Sequence, residues 1–221
     1  MECTPTFLRA RRPEHKQLRY DAIRAAAREL ALERGVRSVS LGDIAAKVGV
    51  HKSAIMRYFQ TREEIYLSIA ADCWTEWSQA VHAELDGVAD GSPQLLAEVL
   101  ARTLADRPLL CDLLTQAPLN LERHVSTDAM RSFKVGLLDV VDELSALIGR
   151  AVPRLGPEGG FEVLAALVCF AATIWQVSHP SDGLAALYEQ EPELARMSPD
   201  FVPTVHRFTL VFITGLLAPA G

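Results

Sequence analysis

Residues Ser40–Phe59, SLGDIAAKVGVHKSAIMRYF, decide the fold of this chain. They predict two short helices joined by a tight glycine turn, and most of the charge on the second helix is basic. This layout is typical of a helix-turn-helix, in which the second helix lies in the major groove of DNA. The alternative interpretation is an ordinary helical hairpin within a core, so the flanking sequence has to decide between the two.

Each signal in this stretch has a physical reason. Ser40 is predicted to cap the first helix, because its hydroxyl can accept a backbone N–H of the first turn, where Asp43 suits the helix dipole. Ala45 lets two helices cross closely, and Gly49 provides the positive φ that ends the first helix. The predicted apolar positions are Ile44, Ala45 and Val48 for the first helix, and Val50, Ile55 and Phe59 for the second.

The flanking sequence supports the helix-turn-helix. Upstream, apolar residues recur on one face over Leu18–Glu33, which predicts a helix that ends near Gly35. Downstream, Thr61–Glu64 has the pattern of a capping box and predicts the start of the next helix. Three helices in this order, with the third as the reader, make a compact DNA-binding domain.

A set of short elements in this region is shared with a known family. They are Glu33-Arg34-Gly35, Asp43-Ile44-Ala45, Gly49-Val50, Arg57-Tyr58-Phe59 and Arg62 before Glu63. Through them, residues 18–67 resemble the N-terminal domain of the tetracycline-repressor (TetR) family of transcriptional regulators, while residues 70–221 match only in length and helical character. Three positions depart from the family pattern: Gly42 replaces a longer polar residue, His51 a serine that starts the third helix, and Met56 a tyrosine that contacts the DNA backbone.

Charge is divided unevenly along the chain. From Arg9 to Arg62 there are thirteen Lys or Arg and five Asp or Glu, a balance of +8. From Glu63 onward nine basic residues stand against twenty-two acidic ones, a balance of −13. The net charge of −6 therefore conceals a basic N-terminal part, which we expect to meet phosphate while the acidic part faces away.

The start of the third helix is predicted to read DNA. Lys52 can bond O6 or N7 of guanine, or a phosphate; Ser53 can bond either kind of group, and Ala54 can meet the methyl group of thymine. His51 can cap the helix, touch the duplex or fill space. The other predicted contacts, among which Tyr58 and Arg62 match family positions that usually contact the backbone, are Ser40, Met56, Arg57, Tyr58 and Arg62.

The predicted architecture is all-α with three parts. A flexible basic arm covers residues 1–12, a helix-turn-helix domain 13–60, and a helical regulatory and dimerisation domain 61–221. The arm residues Arg9, Arg11 and Arg12 can reach the adjacent minor groove or remain a solvated tail. The regulatory part is predicted as a series of helices, with the Pro/Gly-rich segment 151–160 as its clearest break.

Cysteine use and hydropathy predict a cytoplasmic protein without a membrane segment. The N-terminus is polar and basic and lacks the apolar core of a signal peptide. The most apolar run, Val163–Trp175, is shorter than the ~20 residues that span a bilayer. No C-x-x-C pair occurs, which favours reduced thiols, among the four scattered cysteines Cys3, Cys73, Cys111 and Cys169.

Two helices near the C-terminus, 161–179 and 202–217, are predicted to form a homodimer interface. Both are apolar on several faces, which means burial in a core or against a partner copy. A two-fold dimer also matches a palindromic operator, whose half-sites lie about one helical turn apart. The family resemblance implies the same arrangement, a four-helix dimer bundle built from the C-terminal helices.

The resemblance further implies a ligand cavity among the helices of residues 61–150, whose occupancy changes the distance between the reading domains. The expected activity is that of a repressor released from its operator by a small apolar or aromatic effector. Ordinary core packing is the alternative for each of the six residues predicted to line the pocket: Trp74, Trp77, Met130, Phe133, Phe170 and Trp175. Three histidines can orient such a ligand: His82, His124 and His179.

No enzyme motif stands out in the sequence. It contains no G-x-S-x-G elbow, phosphate-cradling glycine loop, H-E-x-x-H or E-x-x-H pattern, so no catalytic residue, metal site or cofactor is expected. The rival hypotheses concern regulation instead. The chain can be a ligand-independent architectural or activating DNA binder, or a regulator that answers a protein partner.

Overall fold

The computed structural model describes residues 11–219, which form ten α-helices and contain no β-strand. Three helices build an N-terminal head: α1 (Arg11–Arg34), α2 (Leu41–Val48) and α3 (Lys52–Ile55). Seven helices build a larger body: α4 (Arg62–Leu85), α5 (Pro93–Ala105), α6 (Pro108–Leu119), α7 (Thr127–Ala151), α8 (Gly156–Ser178), α9 (Asp182–Gln190) and α10 (Phe201–Leu217). The predicted all-α class is confirmed.

Helix α1 begins at Arg11, seven residues before the start that apolar periodicity predicts. The added residues are mostly polar and give no apolar stripe, while Pro13 is tolerated in a first helical turn because its missing N–H needs no partner there. The predicted arm therefore overlaps the helix at Arg11 and Arg12. Residues 1–10, and Arg9 with them, lie outside the described residues.

Helix α3 is shorter than the second helix that the sequence predicts. Regular α-helix covers Lys52–Ile55 only, and the Tyr58 N–H then bonds to the Ile55 carbonyl at 2.8 Å, which tightens the next turn. Phe59 turns inward, where its ring stacks on Tyr20 of α1 with 4.7 Å between centroids. Ile55 and Phe59 are buried, as their apolar spacing predicts.

Both predicted ends of α2 are confirmed. Ser40 and Asp43 form a reciprocal capping box, in which the Asp43 N–H donates to Ser40 Oγ at 3.2 Å and the Ser40 N–H donates to Asp43 Oδ2 at 2.8 Å. Gly49 has φ 73° and ψ 36°, the left-handed conformation that ends a helix. The turn between α2 and α3 is therefore set by local sequence.

The start of α4 differs in one hydrogen bond from the predicted capping box. Thr61 Oγ1 accepts the Glu64 N–H at 3.2 Å, as predicted, but the Glu64 carboxylate accepts the N–H of Gln60 at 2.7 Å. The other carboxylate oxygen of Glu64 accepts the hydroxyl of Ser126 at 3.0 Å. Glu64 therefore ties the end of the head to the start of α7.

Helices α7 and α8 form a closely packed hairpin. The predicted break at 151–160 is mostly helical, because a 3-10 turn over Pro153–Leu155 leads directly into α8 at Gly156, five residues before the predicted start. Pro157 fits the first turn of α8. At the crossing, a Cβ on Gly160 would overlap the carbonyl oxygen of Ser145. Close approach of the two backbones thus requires glycine at this position.

The segment Pro153–Ser178, which contains α8, is the one stretch of the described chain that is long and apolar enough to cross a membrane. Its most apolar 18-residue window has a mean hydropathy of 1.7, and 33% of that window is buried inside the chain. The buried side of α8 includes Leu164, Leu167 and Ala171, and the helix packs against α6, α7 and α10. α8 therefore packs within the body against its neighbouring helices, and one of its apolar sides remains exposed.

Two helical glycines give a matched test of the α7–α8 packing. We expect Gly160→Ala to lower the free energy of unfolding by about 1–3 kcal/mol, because the added methyl group meets backbone rather than a flexible side chain. Gly136→Ala, on an open face of α7 with no atom within 4 Å, should instead raise stability by about 0.5–1 kcal/mol. Urea denaturation at fixed protein concentration measures both; equal stability of the two variants would contradict the close crossing.

Candidate nucleic-acid interface and regulatory core

The start of α2 is held by a compact polar cluster. Hydrogen bonds from the Ser40 hydroxyl and the Ser40 backbone N–H, and a further one from Arg34, lower the pKa of Asp43 to about 2. The Arg34 guanidinium lies 3.1 Å from the Asp43 carboxylate. The Ser40 hydroxyl caps the helix by accepting the Asp43 N–H, and it donates its own hydrogen to Asp43 Oδ2 at 2.6 Å. Its predicted phosphate contact would compete with the bond that it donates.

His51 caps α3 in place of the serine that is usual in the resembling family. Its Nδ1 accepts the backbone N–H of Ser53 at 3.3 Å and lies 2.9 Å from the Ser53 hydroxyl. An Nδ1 that accepts a backbone N–H leaves the ring proton on Nε2 in the neutral imidazole. Of the three open interpretations of His51, the geometry thus supports the capping role.

The outer face of α3 is exposed and basic. Lys52, Ser53 and Arg57 are exposed, and Met56 is 54% exposed beside them. Ala54 and Tyr58 are half-buried at the edge of the same face. The structure thus brings the predicted reading residues of α3 together on one surface with a positive charge at each end.

Four cations of the head are committed to carboxylate partners within the chain. In α1, Arg24 pairs with Asp72 and Arg28 with Glu76 of α4, the latter through bonds of 2.8 and 2.5 Å. Arg34 pairs with Asp43, and Lys47 of α2 lies 2.5 Å from Glu29. The cations that make no ion pair or hydrogen bond among the described residues are Lys16, Arg19, Arg37, Lys52 and Arg57. The sequence analysis did not single out Lys16, Arg19 or Arg37.

Arg62 points into the molecule. Its guanidinium donates to the carbonyl oxygens of Val36 and Val39 at 3.4 and 3.2 Å and lies 5.2 Å from the centre of the Tyr66 ring. The side chain is only 17% exposed. In this arrangement Arg62 braces the turn before α2 against α4, a role that differs from the phosphate contact implied by the family resemblance.

The body holds the head at several polar contacts. The Val36 N–H donates to Asp112 Oδ2 of α6 at 2.7 Å, and the Tyr66 hydroxyl donates to the Ala27 carbonyl at 3.2 Å. Burial raises the pKa of the Tyr66 phenol, which therefore stays protonated as a donor. Together with the ion pairs between α1 and α4, these bonds fix the orientation of the head on the body.

The six residues predicted to line a ligand pocket occupy different surroundings. Trp77 is fully buried, with its indole N–H donating to Thr103 Oγ1 at 3.0 Å, and Trp74 packs edge-on against it at 5.5 Å. Phe170 packs edge-on against Phe208 and Phe212 of α10, and Trp175 stacks on His179 with 3.7 Å between centroids. Met130 and Phe133 lie on α7, half-buried and buried. Trp74 and Trp77 are thus core residues.

The predicted ligand-orienting histidines share one local arrangement. His82, His124 and His179 each have Nδ1 close to the carbonyl oxygen four residues earlier, at 2.9, 3.2 and 3.0 Å. Each ring is therefore held by its own helical turn. Among the described residues no group of three or more His, Cys, Asp or Glu side chains could hold a metal ion.

Three surface cavities are relevant to ligand or partner binding. A cleft of about 390 Å³ lies between head and body, bounded by Tyr20, Tyr58, Ser68 and Phe133. A second, of about 710 Å³, lies at the opposite end of α4 and α7 beside Leu85, Leu147 and Arg150. A recess of about 530 Å³ on the body surface is lined by Phe170, Arg207, Phe208, Val211 and Phe212. Phe133 and Phe170, both in the predicted pocket, thus line two separate cavities.

Solved structures with the same fold are bacterial regulators. A structural-genomics protein from Rhodococcus sp. RHA1, assigned as a transcriptional regulator, has a TM-score of 0.59 at 17% identity over 90% of this chain and 95% of its own. A TetR transcriptional regulator from Rhodococcus sp. RHA1 has a TM-score of 0.53 at 17% identity over 94% and 100%. A protein from Streptomyces coelicolor A3(2), assigned to the TetR family, has a TM-score of 0.56 at 18% identity over 89% and 98%. At these identities the similarity shows the fold.

Family models cover nearly all of the described residues. The model described as "Bacterial regulatory proteins, tetR family" matches residues 23–69, and the model described as "Tetracyclin repressor-like, C-terminal domain" matches residues 71–220. The boundary between them falls within α4, just after the head. No functionally curated protein sequence matches the chain significantly.

Proposed function

This chain belongs to the TetR family of DNA-binding transcriptional regulators, which are not enzymes, and we propose that it represses transcription from a palindromic operator as a homodimer. Release from the operator follows binding of a small apolar or aromatic effector to the body. The observation that carries this proposal is the exposed basic face of α3, where Lys52 and Arg57 have no partner among the described residues.

Sequence recognition is proposed for the N-terminal part of α3. Lys52 and Ser53 are exposed at the helix start, the part of a recognition helix that enters the groove, and Ala54 lies beside them. Arg57 and Tyr58, one turn later, are assigned to backbone phosphates. Met56 adds an exposed apolar group that suits the methyl group of thymine.

The homodimer is proposed to form through α8 and α10. Both helices expose large apolar side chains that a single copy leaves in water: Phe161, Val177, Val202, Phe208 and Val211. Between the first two, α8 exposes Glu162, Ala165, Cys169, Thr173 and Gln176. The short residues at 165, 169 and 173 share one helix face, on which a second copy of the helix can approach closely. A stable interface buries about 800 Å² on each partner, which a pair of helices of this length can supply.

Effector release is proposed to act through the junction between head and body. The cleft of about 390 Å³ is lined by Tyr20 and Tyr58 of the head and by Phe133 of α7. A ligand changes DNA affinity only if it binds one orientation of the head more tightly than another. A flat apolar or aromatic molecule that contacts residues of both head and body in this cleft has that property, because its fit depends on how the head lies against α7.

The cytoplasm, where bacterial DNA lies, is the proposed location. Cys73 and Cys111 are buried, and burial raises the pKa of their thiols to about 11 and about 12. Such thiols stay protonated and unreactive at neutral pH. They behave as apolar core residues, which suits a reducing compartment.

Two rival roles make different predictions for the same experiment. A footprint over an inverted repeat that disappears on addition of a small molecule supports the proposed repressor. Binding that is independent of sequence and of any small molecule supports an architectural role, whereas release only by a second protein supports a regulator that answers a protein partner. The intergenic DNA beside the chain's own gene is the natural first probe.

The role of Lys52 can be tested on an operator selected from random duplexes. We expect Lys52→Ala to weaken operator binding about fivefold or more per half-site, because a good side-chain contact to a base is worth about 1–3 kcal/mol. A larger loss on the operator than on random DNA indicates a guanine contact, and an equal loss indicates a phosphate contact. Arg131→Ala on α7, also exposed and unpaired among the described residues, is the control. Unchanged affinity across a salt titration would remove Lys52 from the interface.

The dimer can be tested by placing a charge on α10. Val211 is 65% exposed in the single chain, and we expect Val211→Glu to give a monomer, because a carboxylate at a buried apolar interface loses its hydration without a partner. Val135→Glu on α7, at a position 59% exposed, should remain a dimer. Light scattering after size exclusion at micromolar concentration measures both. A monomeric unmodified chain, or a dimeric Val211→Glu variant, would refute the α8–α10 interface.

A further inference from the structure

We propose that Arg37 is an additional DNA contact, a positioning residue that binds a backbone phosphate beside the start of α2. The proposal rests on the proposed DNA-binding function and extends it to a residue outside the helix-turn-helix itself. Arg37 lies in the 3-10 turn Val36–Ser38, between α1 and α2.

The cations on the head fall into a paired and an unpaired group. Ion pairs within the chain neutralise the charges of Arg24, Arg28, Arg34 and Lys47. Arg37 has neither an ion pair nor a hydrogen bond among the described residues, and its side chain is exposed. It therefore adds to the external positive potential of the head, as Lys52 and Arg57 do.

The turn that carries Arg37 has one side held against the body. Val36 and Val39 are 0% and 1% exposed, and they mark the inner side of the segment. On that side Asp112 accepts the Val36 N–H, and Arg62 donates to the carbonyl oxygens of Val36 and Val39. Because α6 and α4 of the body hold this inner side, Arg37 is displayed on the side that faces away from the body.

The same turn lies directly before the first helix of the helix-turn-helix. The segment leads within two residues to Ser40, the cap of α2. In a helix-turn-helix the first helix crosses the DNA backbone while the second enters the groove. The first turn of α2 offers no cation of its own, since Gly42 has no side chain and Asp43 is an anion bound to Arg34. Arg37 is the nearest unpaired cation along the chain that can supply positive charge there.

The expected partner of Arg37 is the phosphate backbone. A guanidinium on a connecting turn outside the groove meets phosphate oxygens, which carry no base information. Each neutralised phosphate contributes about 0.9 to the slope of log K against log salt concentration. Loss of Arg37 from both subunits of a dimer should therefore reduce the magnitude of that negative slope by about 1.8. The base preference should stay unchanged.

The experiment measures binding of the full-length protein to a selected operator and to random duplex over a range of salt concentrations. Arg37→Gln should weaken binding to both duplexes by the same factor and reduce the salt slope. Arg37→Lys should restore most of the slope, because an ammonium also neutralises a phosphate. Arg131→Gln, which removes the same charge from the exposed face of α7, should leave both quantities unchanged.

Each other outcome has a definite meaning. A salt slope and an affinity for Arg37→Gln equal to those of Arg131→Gln, with the unmodified protein binding its operator, would overturn the Arg37 contact and leave the proposed function standing. A changed base preference for Arg37→Gln would overturn the phosphate assignment. Failure of the unmodified protein to bind any duplex would instead refute the proposed function. Equal melting temperatures of the variants and the unmodified protein exclude a folding defect as the cause of a change in DNA binding.

Discussion

The hydrogen bond from the Val36 N–H to Asp112, 2.7 Å long, joins the turn before α2 to helix α6 of the body. Its donor lies just after Gly35, whose φ of 80° redirects the chain at the end of α1. Arg62 holds the two carbonyl groups of the same turn from α4, so the peptide units before α2 are bound by two helices of the body. The position of α2, and of α3 packed on it, follows from this turn.

Helix α6 connects that turn to the proposed dimer helix. Thr115 donates its hydroxyl hydrogen to the Ala172 carbonyl of α8 at 2.6 Å. The side-chain amide nitrogen of Gln176, also on α8, lies 3.4 Å from Thr115 Oγ1 and 3.4 Å from Asp112 Oδ1. One short helix thus bonds to the head and to α8 through neighbouring residues. In the proposed dimer, α6 therefore provides a continuous series of hydrogen bonds between the head and the proposed dimer helix α8.

Local signals in the sequence predict local structure well and leave long-range pairing open. The capping box at Ser40 and the left-handed Gly49 follow from residues within a few positions of each other, and both are confirmed. The pair Arg24–Asp72 joins residues 48 positions apart, and Arg62 finds its carbonyl partners more than twenty positions away. The indole N–H of Trp77 donates to the hydroxyl of Thr103 on another helix, and no sequence spacing predicts this pair. The predicted DNA contacts and pocket residues stay predictions for a related reason: they depend on DNA and on a ligand, which are separate molecules.

The separation of the chain into a basic N-terminal part and an acidic remainder is less simple in three dimensions. Asp72 and Glu76 belong to the acidic part by sequence, yet they neutralise Arg24 and Arg28 on the side of α1 that faces α4. Acidic residues of the body thus cancel the inward charge of the head and leave its outward cations uncompensated. A basic domain can therefore dock on an acidic body with favourable contacts while its opposite surface keeps the positive potential that attracts DNA. The balance of +8 counted along the sequence overstates the charge available to a phosphate, and the unpaired cations of the outer surface, Arg37 among them, are the part that DNA can use.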